Sequence, residues 1–130
     1  MVSEIFKSDR YFTVFDYLVS HGQLLLRSDK RKGYEKNIDI VFFDTTFIQL
    51  FTMLDGIVVN LITGEDAVDY KSVKKYLSYK ESNLFEIESA GEKYYLAASF
   101  VKVFENELEF HETSLGFENK GREEEIARSR

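Results

Sequence analysis

Residues 11–26 read YFTVFDYLVSHGQLLL, and the fold turns on how that run is taken. Tyr11, Thr13, Phe15, Tyr17 and Val19 share one parity, and Phe12, Val14, Asp16 and Leu18 share the other. Successive side chains of a strand point to opposite faces, so a run that is apolar on both parities reads as a strand covered twice. Ser20-His21-Gly22-Gln23 then breaks the pattern with a glycine between two apolar runs, the mark of a hairpin turn. Leu24, Leu25 and Leu26 continue as a second strand.

Working outward, Ile38, Ile40 and Phe42 alternate with Asp39, Val41 and Phe43 in a third strand, with Asp39 expected to face water. A fourth run spans Phe47 to Leu54, and Asp55-Gly56 follows it directly. A type I′ turn needs positive φ at both central residues, which Asp tolerates and Gly accepts. That pair therefore predicts a hairpin to a fifth strand, Ile57 to Ile62. Leu84 to Glu88 and Tyr94 to Phe104 flank Ala90-Gly91, another turn. Glu105-Asn106 predicts a last turn, into a short strand with Leu108 and Phe110 on one side and Glu107, Glu109 and His111 on the other.

One segment breaks the period-two pattern. Thr63 and Asp66 are spaced as a capping box, acids come first (Glu65, Asp66, Asp69), and lysines follow at 71, 74, 75 and 80. That order suits the helix macrodipole, and Tyr70, Val73 and Leu77 form one stripe. A helix is expected over about 65–79. The fold class is thus α+β and mainly antiparallel β, with about eight short strands in a curled meander or two-layer sheet and one helix. Residues 1–115 read as a single domain and 116–130 as a polar tail.

The 130 residues carry no cysteine and no proline, which excludes disulfides, thiolate metal sites and cysteine nucleophiles. Twelve Phe and eight Tyr are enough for a core without metal or covalent staples. MVSEIFKSDR lacks the basic and apolar regions of a signal peptide, and no run suits a membrane helix, so the expected address is cytoplasmic. A net charge of −6 disfavours nucleic acid overall.

Two charged surfaces stand out. Arg27, Lys30, Arg31, Lys32 and Lys36 surround Tyr34, against only Asp29 and Glu35, which suits phosphate contact with base stacking. The plainer reading is a solvated loop whose cations discourage edge pairing. Glu105, Glu107 and Glu109 share one strand parity, with Glu112 beside them. Such a stripe repels itself and is expected to be kept for a basic protein partner, unless it is simply a solvated face. Phe42, Phe43, Phe47 and Phe51 crowd one region, where they would fill the interior or line an apolar ligand cavity.

No catalytic residue is assigned. Asp16 and Asn60 sit within apolar strand patterns, but two-carboxylate chemistry needs a matched pair. His111 finds only Glu109 or Glu112 nearby, too few for a metal, and the seven glycines stand singly, outside any phosphate-binding motif. No cofactor is expected, and an exposed strand edge would allow a homodimer.

The stretch Asn37-Ile38-Asp39-Ile40-Val41-Phe42-Phe43, followed by Leu54-Asp55-Gly56-Ile57, resembles small stand-alone bacterial proteins of uncharacterised function. The likeness covers about the middle third, implies a bacterial cytosolic domain and carries no site residue. In size and acidity the chain is also similar to bacterial immunity proteins, which neutralise a toxin by binding its active face. These features favour a non-enzymatic, immunity- or regulatory-type binding protein that uses its acidic strand face. The alternatives are an apolar-ligand carrier or small enzyme, and nucleic-acid contact through the loop 27–36.

Overall fold

A computed structural model describes residues 1–30, 33–64, 74–77, 82–116 and 123–129. The chain is mainly β. Nine strands run β1 (Val2–Leu18), β2 (Gln23–Ser28), β3 (Asn37–Phe43), β4 (Phe47–Gln49), β5 (Met53–Ile62), β6 (Asn83–Ser89), β7 (Glu92–Ala98), β8 (Phe100–Asn106) and β9 (Glu124–Arg128). They form one open antiparallel sheet in the order β4-β7-β6-β5-β1-β2-β3-β8-β9.

The sheet is strongly bent. Three residues separate β3 from β4, and Ser99 alone separates β7 from β8. Ladders β3–β8 and β4–β7 continue across both breaks, through Ser99 N to Phe43 O at 2.9 Å and Thr46 N to Ala97 O at 2.8 Å. This curl carries β3 over β6, so that the rings of Phe42 and Phe85 meet edge to face at 5.5 Å. Between them lies the main core, with Phe12, Leu24, Leu26, Ile40, Leu54, Ile57, Val59, Ile87, Leu96, Val101 and Val103 fully enclosed.

The opposite faces are covered too. Leu25 and Val41 cluster with Leu115, Phe15, Leu18, Phe43 and Phe104 on the outside of β2 and β3. Burial on both sides is why residues 24–26 and 38–43 read as almost unbroken apolar runs. A third cluster, Ile62 and Leu84 with Phe47, Leu77 and Tyr95, lies outside β5 and β6.

The turn at 20–22 forms as the sequence predicts. His21 and Gly22 take φ of 66° and 52°, and a Cβ on Gly22 would come within 3.0 Å of Thr45 N. That contact requires glycine, since Gly22 O also accepts from Thr45 N at 2.9 Å. Ala90-Gly91 is likewise a two-residue hairpin turn, with both φ positive and Ser89 paired with Glu92.

Other expectations are corrected. Asp55-Gly56 is no turn, because both residues lie inside β5. Gly56 uses its φ of 78° opposite a register shift between Ser8 and Tyr11 of β1, so the positive φ serves a bulge. Strand β1 begins at Val2, nine residues before the sequence suggests, and β5 pairs with it. The run 47–54 splits, with β4 ending at Gln49 and β5 opening at Met53. Glu105 and Asn106 finish β8, and residues 107–116 are irregular chain lacking any strand.

Of the helix expected over 65–79, Lys74–Leu77 is one helical turn and the remainder lies outside the described residues. The α part of the α+β reading therefore stays unsupported. The stretch 116–130, set apart as a tail by its polarity, holds β9, which pairs with β8 from Lys102 to Glu105. No helix among the described residues is long and apolar enough to cross a membrane.

Candidate functional site

A buried polar network occupies one end of the outer face, where β2, β3 and β8 lie side by side. Arg27 and Asp39 are direct cross-strand partners, as are Asn37 and Asn106. Strand pleating points these side chains to the same face as Leu25 and Val41. Arg27 grips Asp39 with both prongs, Nε to Oδ1 at 2.7 Å and Nη2 to Oδ2 at 2.8 Å, and neither side chain is more than 1% exposed. Asn106 Nδ2 donates to the same Oδ2 at 2.8 Å, and Asn37 Nδ2 donates to Asn106 Oδ1 at 2.8 Å.

This network ties down the segment that follows β8. Arg27 Nη1 donates to the Glu112 carbonyl at 2.7 Å, and Asn37 Nδ2 to the Leu108 carbonyl at 2.9 Å. Asn106 Oδ1 accepts from Leu108 N at 3.1 Å. Leu108 is fully enclosed, Leu115 joins the outer cluster, and Gly116 N reaches Gln23 Oε1 at 3.2 Å. Residues 107–116 thus form a strap lying across the outside of the sheet. Phe15 lies beneath it, 4.2 Å from the Arg27 guanidinium and edge to face with Phe110 at 6.5 Å.

The strap brings the two charged segments of the sequence together. Lys30 Nζ donates to Glu109 Oε2 at 2.9 Å and to the Glu107 carbonyl at 2.8 Å. The hydrogen bond from Lys30 holds the Glu109 carboxyl below the usual glutamate range. Protonating Glu109 releases that bond, so the contact persists at neutral pH and is lost as pH falls through the lowered value. Glu112 folds back on the strap itself, its Oε1 accepting from Glu109 N at 2.8 Å. Glu105, on β8, pairs across the ladder with Glu124 of β9.

The four acids therefore lie along a strand end and a strap, with Glu107 and Glu109 the most exposed of them. In the basic loop, Arg27 is buried in the network, Lys30 sits on the strap, Tyr34 is exposed, and Arg31 and Lys32 lie outside the described residues.

Asp39 does not face water, because Leu108 and the strap cover it and Arg27 compensates its charge. Asp16 is only half-buried, at a register shift in β1, and accepts from Tyr17 N at 2.8 Å. Asn60 is buried and donates to Glu86 and Glu88 at 3.3 and 3.0 Å. Of the crowded phenylalanines, Phe42 enters the core, Phe43 stacks on Phe100, Phe47 joins the third cluster and Phe51 is exposed.

Sequence reasoning missed Arg10, Asn37 and Asn106. Their one signal is position: Asn37 and Asn106 open and close strands at matched ends, as Arg27 and Asp39 interrupt otherwise apolar ones. No group of three or more His, Asp or Glu able to hold a metal occurs among the described residues. The chain matches no protein-family model, no curated protein and no solved structure.

Proposed function

We propose that this chain is a non-enzymatic protein-binding domain of immunity or regulatory type, and that its contact surface is the strap at residues 107–112. The observation that supports this reading is Phe110, itself 56% exposed on a strap that the buried network fixes to the sheet. Glu107, Glu109 and His111 are exposed around it. A loop carried on a rigid sheet suits recognition, and an aromatic anchor within a polar rim matches the anatomy of binding hot spots. The acids favour a basic partner and fast encounter. Glu124, 70% exposed at its side chain, extends the same charge onto β9.

The test is to isolate a partner from the source cell lysate and then measure its affinity for purified variants. Phe110→Ala is expected to weaken binding at least about tenfold, the scale of a hot-spot side chain. The double reversal Glu107→Lys with Glu109→Lys should slow association and flatten its salt dependence. All three positions are exposed, so the variants should keep the melting temperature within a few degrees. A partner held equally well by all of them would eliminate this surface.

A further inference from the structure

Beside the buried network, where β2 ends and β3 begins, a second cation sits in an unusual setting. Arg10 of β1 is only 9% exposed, and its guanidinium reaches into the loop between β2 and β3. Nε donates to Ser28 Oγ at 2.9 Å, and Nη2 donates to the carbonyls of Ser28 and Lys36 at 3.1 and 2.9 Å. All three acceptors are neutral. The Tyr34 ring covers one guanidinium face, 3.7 Å from Cζ to the ring centroid.

Among the described residues, no carboxylate lies within ion-pair distance of Arg10, and Nη1 has no acceptor. Glu105 and Asp29 act on it only through their field, and burial pushes the guanidinium pKa down. Arg27 makes the contrast plain, since its more deeply enclosed charge is met directly by Asp39. A largely buried cation with no directly bonded counter-charge is costly, and an arriving anion would relieve that cost. A cleft of about 320 Å³ opens at this point, lined by Arg10, Tyr34, Glu35, Lys36 and Glu105.

We propose that this cleft binds a small oxyanion, a phosphate or carboxylate group, held by the unused Nη1 edge of Arg10 and by the Lys36 ammonium. Guanidinium groups present paired donors to such oxygens, and the bonds are charge-assisted. Lys36 is free to turn inward, its 3.8 Å contact with Glu124 being loose and solvent-exposed. Glu35 and Glu105 on the wall oppose the anion and limit the charge the cleft accepts. The site is independent of the strap surface, since neither Phe110 nor Glu107 lines it.

The experiment titrates the intact protein with sodium phosphate, and separately with sodium acetate, at ionic strength held constant with chloride. The readout is the ¹⁵N–¹H signal of Arg10 Nε, identified by its disappearance in Arg10→Lys. A saturable shift is expected with at least one of the two anions, and the stronger one names the oxyanion preferred. Lys36→Ala should weaken the apparent affinity by about fivefold and Glu105→Gln should tighten it by about the same, the scale of one partly exposed charge. Neither side chain holds the fold, so both variants should give the parent's amide spectrum. A shift that never saturates, or one that these two variants leave unchanged, means an adventitious ion only and overturns the proposal.

Discussion

Asp39→Ala is expected to lower the unfolding free energy by about 3–5 kcal/mol, the cost of breaking a buried ion pair from one side. The loss is large because the guanidinium left behind has 1% exposure and cannot reach water. Asn106 loses its acceptor in the same step, and the Arg27 donor that holds the Glu112 carbonyl loses its orientation. Against a total of about 5–15 kcal/mol for a domain, this is a substantial fraction. Urea unfolding checks it, with the midpoint falling while the slope stays constant. The double variant Arg27→Met with Asp39→Ala should recover part of the loss, because no isolated charge remains. A single variant as stable as the parent would mean that water reaches the pair.

Phe85→Ala is expected to cost a comparable amount, about 3–5 kcal/mol, through a different mechanism. Its ring is fully enclosed and meets Phe42 edge to face at 5.5 Å, where the curled sheet folds onto itself. Removing the ring leaves a cavity between strands that lie four places apart in the sheet order, so neighbouring backbone cannot collapse to fill it. Phe51→Ala supplies the control, because Phe51 is 52% exposed and its loss should change stability little. Equal effects at the two positions would contradict the curl.

Strand content was legible because period-two alternation is a local property, and β2, β3 and β6 lie close to where that pattern places them. Pairing was less legible, because it is decided by distant chain. Asp55-Gly56 has the chemistry of a tight turn, yet the partner of β5 is β1, and Gly56 serves a bulge against it. The first ten residues hid their strand because register shifts at Glu4/Phe6 and Ser8/Tyr11 spoil the alternation.

The site was legible only as two charged stretches. That they meet follows from Lys30 reaching Glu109 across 79 positions of sequence, which no local pattern announces. A charge in a half-buried strand ordinarily faces solvent, and the alternation around Asp39 points that way. Only the strap above it, and Arg27 beside it, convert that position into the anchor of the network. Strand parity puts Phe110 on the same side as Leu108. In irregular chain that parity does not hold, and Leu108 is enclosed while Phe110 is more than half exposed.

Hydrogen exchange across residues 106–116, compared between the parent and Asp39→Asn under conditions where both are folded, tests the claim that a buried ion pair holds the strap in place. Loss of protection confined to the strap, including the Leu108 amide that bonds Asn106 Oδ1, is the expected result, with the amides of β5 and β6 unchanged. Protection in the strap that survives the substitution would mean that something other than Arg27 and Asp39 fixes it, and the proposed contact surface would lose its foundation.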